Sequence, residues 1–175
     1  YRDVIDKTNW PEGVWKSEPD KEQWEDPATG LPCLIVRHPR GGHLCGYVGV
    51  PKGHPCHSVD YMHIDTLLDA HGGLTFATTC QENRCENNSV CHKVDDPAED
   101  GVWWLGLDCA HAGDRSPGHE AVFARVIPGD TYKTWSYVQE QCAELAKQLK
   151  EIQDSIPERL RESRALAELV EGMDG

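Results

Sequence analysis

The chain has 175 residues, 38% of them hydrophobic, and carries 17 Lys and Arg against 30 Asp and Glu, a formal net charge of -13. That length suits one domain with one core and is short for two. Acidity is spread along the chain with no basic stripe, which excludes ordinary phosphate-backbone binding to DNA or RNA. No apolar run reaches the roughly 18 residues of a membrane span, and the start lacks a basic-then-apolar signal pattern, so the expectation is a cytoplasmic protein that meets neither membrane nor nucleic acid.

In chain order, residues 1–32 are polar and turn-rich yet hold Trp10, Trp15 and Trp24. They read as an extended arm anchored over the core by indoles, each with a large area to bury. Cys33–Arg37 and Leu44–Val50 have strand composition, and the Gly41-Gly42 turn between them makes a hairpin. Gly46 and Gly49 inside the second strand imply a bulge or the close approach of another group. A rigid loop with His54 follows, then an irregular or briefly helical segment, then His71-Gly72-Gly73 leading into a third strand, 74–79.

Residues 80–101 read as a Cys-rich insertion without hydrophobic periodicity. The run from Val102 to Asp108 is apolar on both faces: Trp103, Leu105, Leu107 and Cys109 on one, Val102, Trp104, Gly106 and Asp108 on the other. Such a strand belongs at the centre of a sheet, covered on both sides. On the second face Gly106 leaves a ligand-sized notch between Trp104 and Asp108. Ala121–Ile127 reads as a fifth strand. Trp135, Val138, Cys142, Leu145, Leu149, Ile152 and Ile156 follow helical steps of three and four, a stripe that must lie on the sheet or on a copy of itself. Pro157 opens a weaker helix ending near Gly172, which reads as the contact of a homo-oligomer or as a fraying end.

The fold expected is therefore α+β: a single domain over 1–175, with an arm (1–32), a mostly antiparallel sheet of about five strands (33–127, interrupted by 80–101) and a helical tail (132–172) packed on the sheet.

Three turns at strand ends carry histidine beside glycine or proline: those of His54, His71-Gly72-Gly73, and Asp108 through Asp114 with His111. Glycine admits close approaches that other residues resist, so these turns can aim side chains or amides at a bound group. If they converge, they form a pocket for a small polar molecule with a flat ring. His54, His71, Gly72, Gly73, Asp108, His111 and Asp114 would line it, Trp104 and Tyr47 would flank it, and Arg40, Lys52 or Arg115 would meet phosphate.

A second reading places a divalent metal such as zinc on His54, His71 and His111, with a bound water as hydrolytic nucleophile. A metal-free variant makes His111 a general base oriented by Asp108 or Asp114, with Thr75, Ser58 or Cys109 as nucleophile. A third has the acidic surface dock on a host protein. Structural explanations compete with all three, because Asp caps turns and His satisfies buried carbonyls. In the insertion, Cys80, Cys85, Cys91 and His92 are open to three readings: a structural zinc site, one disulfide pair, or free thiols. Cys33, Cys45 and Cys109 read as small buried hydrophobes.

The stretches from Gly41 to Pro55 (GGHLCGYVGVPKGHP), His71 to Phe76 (HGGLTF) and Trp103 to Asp114 (WWLGLDCAHAGD), with Glu18–Lys21 and the tail from Tyr132 through Leu149, resemble a family of uncharacterised small proteins encoded by bacteriophages and prophages. The resemblance covers most of the chain. It implies a small accessory protein of the host cytoplasm, a class that includes inhibitors of host defence, sequesterers of signalling nucleotides and small enzymes. The Cys-rich insertion departs from the family pattern.

Overall fold

The computed structural model describes residues 1–81, 88–95 and 101–155. Strands β1 (Lys21–Glu25), β2 (Pro32–Arg37), β3 (Leu44–Val50), β4 (Phe76–Thr78) and β5 (Trp103–Asp108) form one sheet in the order β1-β2-β3-β5-β4. Every neighbouring pair is antiparallel. Helix α3 (Trp135–Ser155) packs on β3 and β2, and two short helices, α1 (Tyr61–Ile64) and α2 (Pro117–Phe123), sit in the connections. The fold is α+β, with the long C-terminal helix on the sheet.

The period of two in β5 sets both faces. Leu105, Leu107 and Cys109 join the core that Val138, Cys142, Leu145 and Leu149 of α3 close. Val102 and Trp104 join a second core on the opposite face, with Leu34, Val36, Cys45, Tyr47 and Val90. Gly46 and Gly49 sit in unbroken register, so close approach, not a bulge, explains them. A Cβ at Gly46 would lie 2.8 Å from Cys142 Sγ, and one at Gly49 only 2.3 Å from Val102 Cγ1.

Two elements differ from the sequence reading. Ala121–Ile127 is not a strand: the chain runs as α2 from Pro117 to Phe123, and Ala124 in the left-handed region ends it. A proline at the first helical position favours a helix start, whereas a short apolar run alone does not separate strand from helix. The fifth strand is instead β1, within the N-terminal arm. The arm is held by a buried cluster in which Arg37 Nε donates to Asp20 Oδ1 (2.9 Å) and Arg37 also donates to Gly42 O (2.9 Å) and the Tyr132 hydroxyl (2.8 Å). Lys7 Nζ approaches the same Asp20 oxygen at 2.6 Å. Burial opposes the Asp20 charge, but Lys7, the Ile5 amide and Arg37 outweigh it and hold the carboxyl below its usual range. Glu18 accepts from Tyr132 Oη (2.6 Å) and from the Trp135 amide (2.7 Å), satisfying an orphan donor at the start of α3.

In the insertion Cys80 and Cys91 form a disulfide. Their sulfurs are bonded to each other and are not thiolates, so the zinc set with Cys85 and His92 is not formed; Cys85 lies outside the described residues. Trp104 Nε1 donates to Cys80 Sγ (3.4 Å), so the bridge roofs the second core. Ile156 and the predicted helix from Pro157 to Gly172, with the oligomer contact assigned to it, also lie outside. Among the described residues no helix is long and apolar enough to cross a membrane.

Candidate functional site

Residues from three connections meet at the C-terminal end of β5. Asp108, the last residue of the strand, accepts from the Ala110 amide through Oδ1 (3.0 Å), which turns the chain. Six residues after Asp108 the buried Asp114 carboxylate gathers the turn: Oδ2 accepts from His71 Nε2 (2.7 Å) and from the His111 amide (3.1 Å), and Oδ1 lies 3.1 Å from Lys133 Nζ. Burial works to raise the Asp114 pKa, but His71, Lys133 and the His111 amide prevail and lower it. The far nitrogen of His71, Nδ1, lies 2.7 Å from the Tyr137 hydroxyl. Burial, with Cys109 and Asp114 nearby, raises the Tyr137 pKa, so the hydroxyl keeps its proton and donates it to Nδ1. Both ring nitrogens of His71 are thereby engaged, and the ring serves as a strut between α3 and the turn.

His111 is placed differently. Its Nε2 is buried 3.2 Å from Asp108 Oδ1, too far off line for a full hydrogen bond. The ring edge lies against Gly72, whose φ is +68°; a Cβ there would sit 2.2 Å from His111 Cδ2 and 2.3 Å from Nε2. The glycine is required by this ring, not by a ligand. Gly73 serves the same connection by donating to Ala70 O (2.9 Å), while Asp65 Oδ1 accepts from the Leu74 amide (2.7 Å). The His111 side chain is 34% exposed, and Nδ1 makes no hydrogen bond among the described residues.

Beside this turn lies a cleft of about 740 Å³. One wall is Ala110 through Ser116, and the other is α2 and the segment to Asp130, with His119, Phe123, Arg125 and Ile127. Backbone bonds from Thr131 N to Gly113 O (2.9 Å) and Arg115 N to Thr131 O (2.8 Å) fasten the two walls together. The Gly118 amide donates to Gly41 O (2.9 Å), docking α2 on the β2–β3 turn. Arg115 is consumed by Glu120, at 2.5 and 3.0 Å, and lies over the Trp15 ring. Arg125 is exposed and has no ion-pair partner among the described residues. Phe123 is 71% exposed.

Behind α2, His43 stacks on His38, with ring centroids 4.8 Å apart, and faces His119 at 6.4 Å. His43 is buried and its Nδ1 has no partner. Burial, reinforced by His38, lowers its pKa to about 4.

The structure thus brings together two of the three predicted turns, with His71, Gly72, Gly73, Asp108, His111 and Asp114. His54 is not among them. It is buried at the other end of the sheet, where Nε2 lies 2.8 Å from Leu149 O and Nδ1 accepts from the Cys56 amide (3.0 Å). Strand polarity explains the separation: β3 is antiparallel to β5, so the loop after Val50 leaves beside Trp103 while Cys45 pairs with Asp108. The His54, His71 and His111 metal set is therefore not assembled, and among the described residues no group of three His, Cys, Asp or Glu is placed to hold a metal.

Trp104 is buried in the second core and does not flank the cleft. Nor does Tyr47, whose ring fills the notch at Gly106: a Cβ there would meet Tyr47 Cδ1 at 2.4 Å. Of the proposed nucleophiles, Cys109 is buried with its pKa raised by burial and by Asp114, and Ser58 lies by His57 at the far end of the sheet. Lys52 lies at that far end too, against Gly101.

The sequence reading did not single out Tyr137, Lys133, His119, Phe123 or Arg125. A signal existed for the first. Tyr137, Gln141 and Gln148 step by four and seven along one flank of α3, and this row holds the 69–71 loop through His71 Nδ1, the His71 amide (3.0 Å) and the Asp69 amide (2.7 Å). Comparison of the chain with family models, with curated proteins and with solved structures found no match.

Proposed function

We propose that the cleft between the 110–116 turn and the α2 wall binds a small anionic molecule carrying a flat ring, a nucleotide-like ligand. The observation that carries this reading is the pairing of an exposed Phe123 with an unpartnered Arg125 on one wall, opposite the braced turn with His111. An aromatic face and an unspent guanidinium together suit a base and a phosphate. The cleft's charges are mixed: Arg115 is matched by Glu120, and Asp114 by His71 and Lys133, which leaves Arg125 as the cation for an anionic ligand and Asp130 as the carboxylate beside it. Asp114 has its contacts inside the protein and acts as the brace of the wall. In this reading the protein works in the cytoplasm by holding a metabolite or signal out of circulation.

Thermal unfolding with adenosine monophosphate, adenosine and inorganic phosphate as separate probes tests this. At a hundred times Kd a ligand that binds only the folded state adds about 2.7 kcal/mol, or about 5–10 °C in Tm for a chain of this size. The expected result is a shift with the monophosphate that exceeds either part alone and shrinks in Arg125→Ala and in Phe123→Ser. No shift with any of the three, or shifts that both variants keep in full, would reject the reading.

A further inference from the structure

Resting on that reading, we propose that the cleft also turns over what it binds: His111, oriented by Asp108, acts as general base for attack of water on the phosphoanhydride of a nucleoside diphosphate ester. The geometry that supports this is a ring whose Nε2 edge is packed between Gly72 and Asp108 while Nδ1 has no protein partner among the described residues. Gly72 sits where any side chain would strike the Cδ2–Nε2 edge. The Asp114 carboxylate fixes the His111 backbone through its amide at 3.1 Å. Asp108 stands 3.2 Å from Nε2 on the last residue of a central strand. A carboxylate facing Nε2 selects the tautomer with its proton there, which leaves the Nδ1 lone pair as the base. A small rotation of the ring closes this 3.2 Å approach into a hydrogen bond, the kind of tightening that substrate binding brings about.

Of the other histidines nearby, His71 has both nitrogens engaged and His43 is buried behind α2, while His119 stands on the facing wall with no carboxylate partner among the described residues to orient it. Cys109 is buried and stays a thiol, so a covalent route through it is closed and water is the nucleophile. In the step, the water oxygen forms a bond to phosphorus as its proton passes to His111 Nδ1. The bond from phosphorus to the bridging oxygen breaks, and its electron pair stays with the departing phosphate monoester. Asp108 balances the imidazolium until the proton returns to product or solvent. Arg125, unpaired on the facing wall, is the cation available to the phosphate oxygens. Asp108 is the positioning residue and His111 the catalytic one.

The experiment uses the whole protein with ADP-ribose in the presence of EDTA, following release of adenosine monophosphate and uptake of oxygen from ¹⁸O water into a product phosphate. The expected result is metal-independent release that falls about 100-fold or more in His111→Ala and recovers in part with added imidazole, which a merely structural role would not show. Asp108→Asn is expected to lower kcat with KM little changed. Thermal shifts with adenosine monophosphate on the same variants report whether each still folds and binds. Binding without release, release abolished by EDTA, or full activity in His111→Ala would overturn turnover by this base while leaving the binding reading intact. Loss of binding in the wild type would remove both.

Discussion

Replacing Gly72 by alanine tests whether the ring of His111 is held where the site requires it. The added Cβ would lie 2.2 Å from His111 Cδ2 and 2.3 Å from Nε2, so the ring must move. The backbone at position 72 has φ +68°, a conformation that costs an L-residue roughly 1–2 kcal/mol. Overpacking of a filled site costs about 1–3 kcal/mol more. The two parts separate in a double-mutant cycle with His111→Ala, because removing the ring relieves the clash and leaves the backbone strain. Urea denaturation of the four proteins is expected to show Gly72→Ala destabilised by about 2–5 kcal/mol, with a coupling of about 1–3 kcal/mol between the sites. The Gly72→Ala protein is also expected to lose ADP-ribose hydrolysis. A cost that is the same with and without the His111 ring would refute the packing argument.

Two further outcomes follow from buried charge. His43 has a folded pKa of about 4 against an ordinary value of 6.5, so between those values the unfolded chain binds a proton that the folded chain does not. Stability from this group is complete above pH 6.5 and falls as the pH drops toward 4, by roughly 3 kcal/mol in all; the difference in urea midpoints between wild type and His43→Gln across that range measures it, and parallel curves would contradict it. Arg37→Met leaves the buried Asp20 with Lys7 as its one remaining cation and the half-buried Glu18 with none. It is expected to cost about 3–5 kcal/mol and to lower the thermal midpoint by about 10 °C, whereas an unchanged midpoint would mean that the arm is held by its tryptophans alone.

The sheet was legible where burial imposes a simple period. Val102 through Cys109 shows two apolar faces because both are covered, and Val138 through Leu149 shows a stripe because one face is. Strand β1 was not legible: Lys21-Glu22-Gln23-Trp24-Glu25 forms a sheet edge, and only Trp24 marks an apolar face. The error at 121–127 has the same root, since Val122, Phe123, Val126 and Ile127 are apolar yet exposed, and composition alone assigned them to a core strand. At the site, the Asp108–Asp114 turn and His71-Gly72-Gly73 were readable because glycine beside histidine marks a close approach. His54 carries the same local signature, and only the antiparallel register shows that its loop leaves from the opposite end. Tyr137 escaped notice because its partner, His71, is 66 residues away.

The most direct measurement is the set of backbone amide shifts in a ¹H–¹⁵N spectrum as adenosine monophosphate is titrated in. If the cleft is the binding site, the largest changes fall on Ala112, Gly113, Arg115, Phe123 and Arg125 and are lost in Arg125→Ala. Changes centred instead on Trp24, Lys93 and Val102, which line a separate cavity of about 530 Å³ beside the start of β5, or no changes at all, would contradict the assignment.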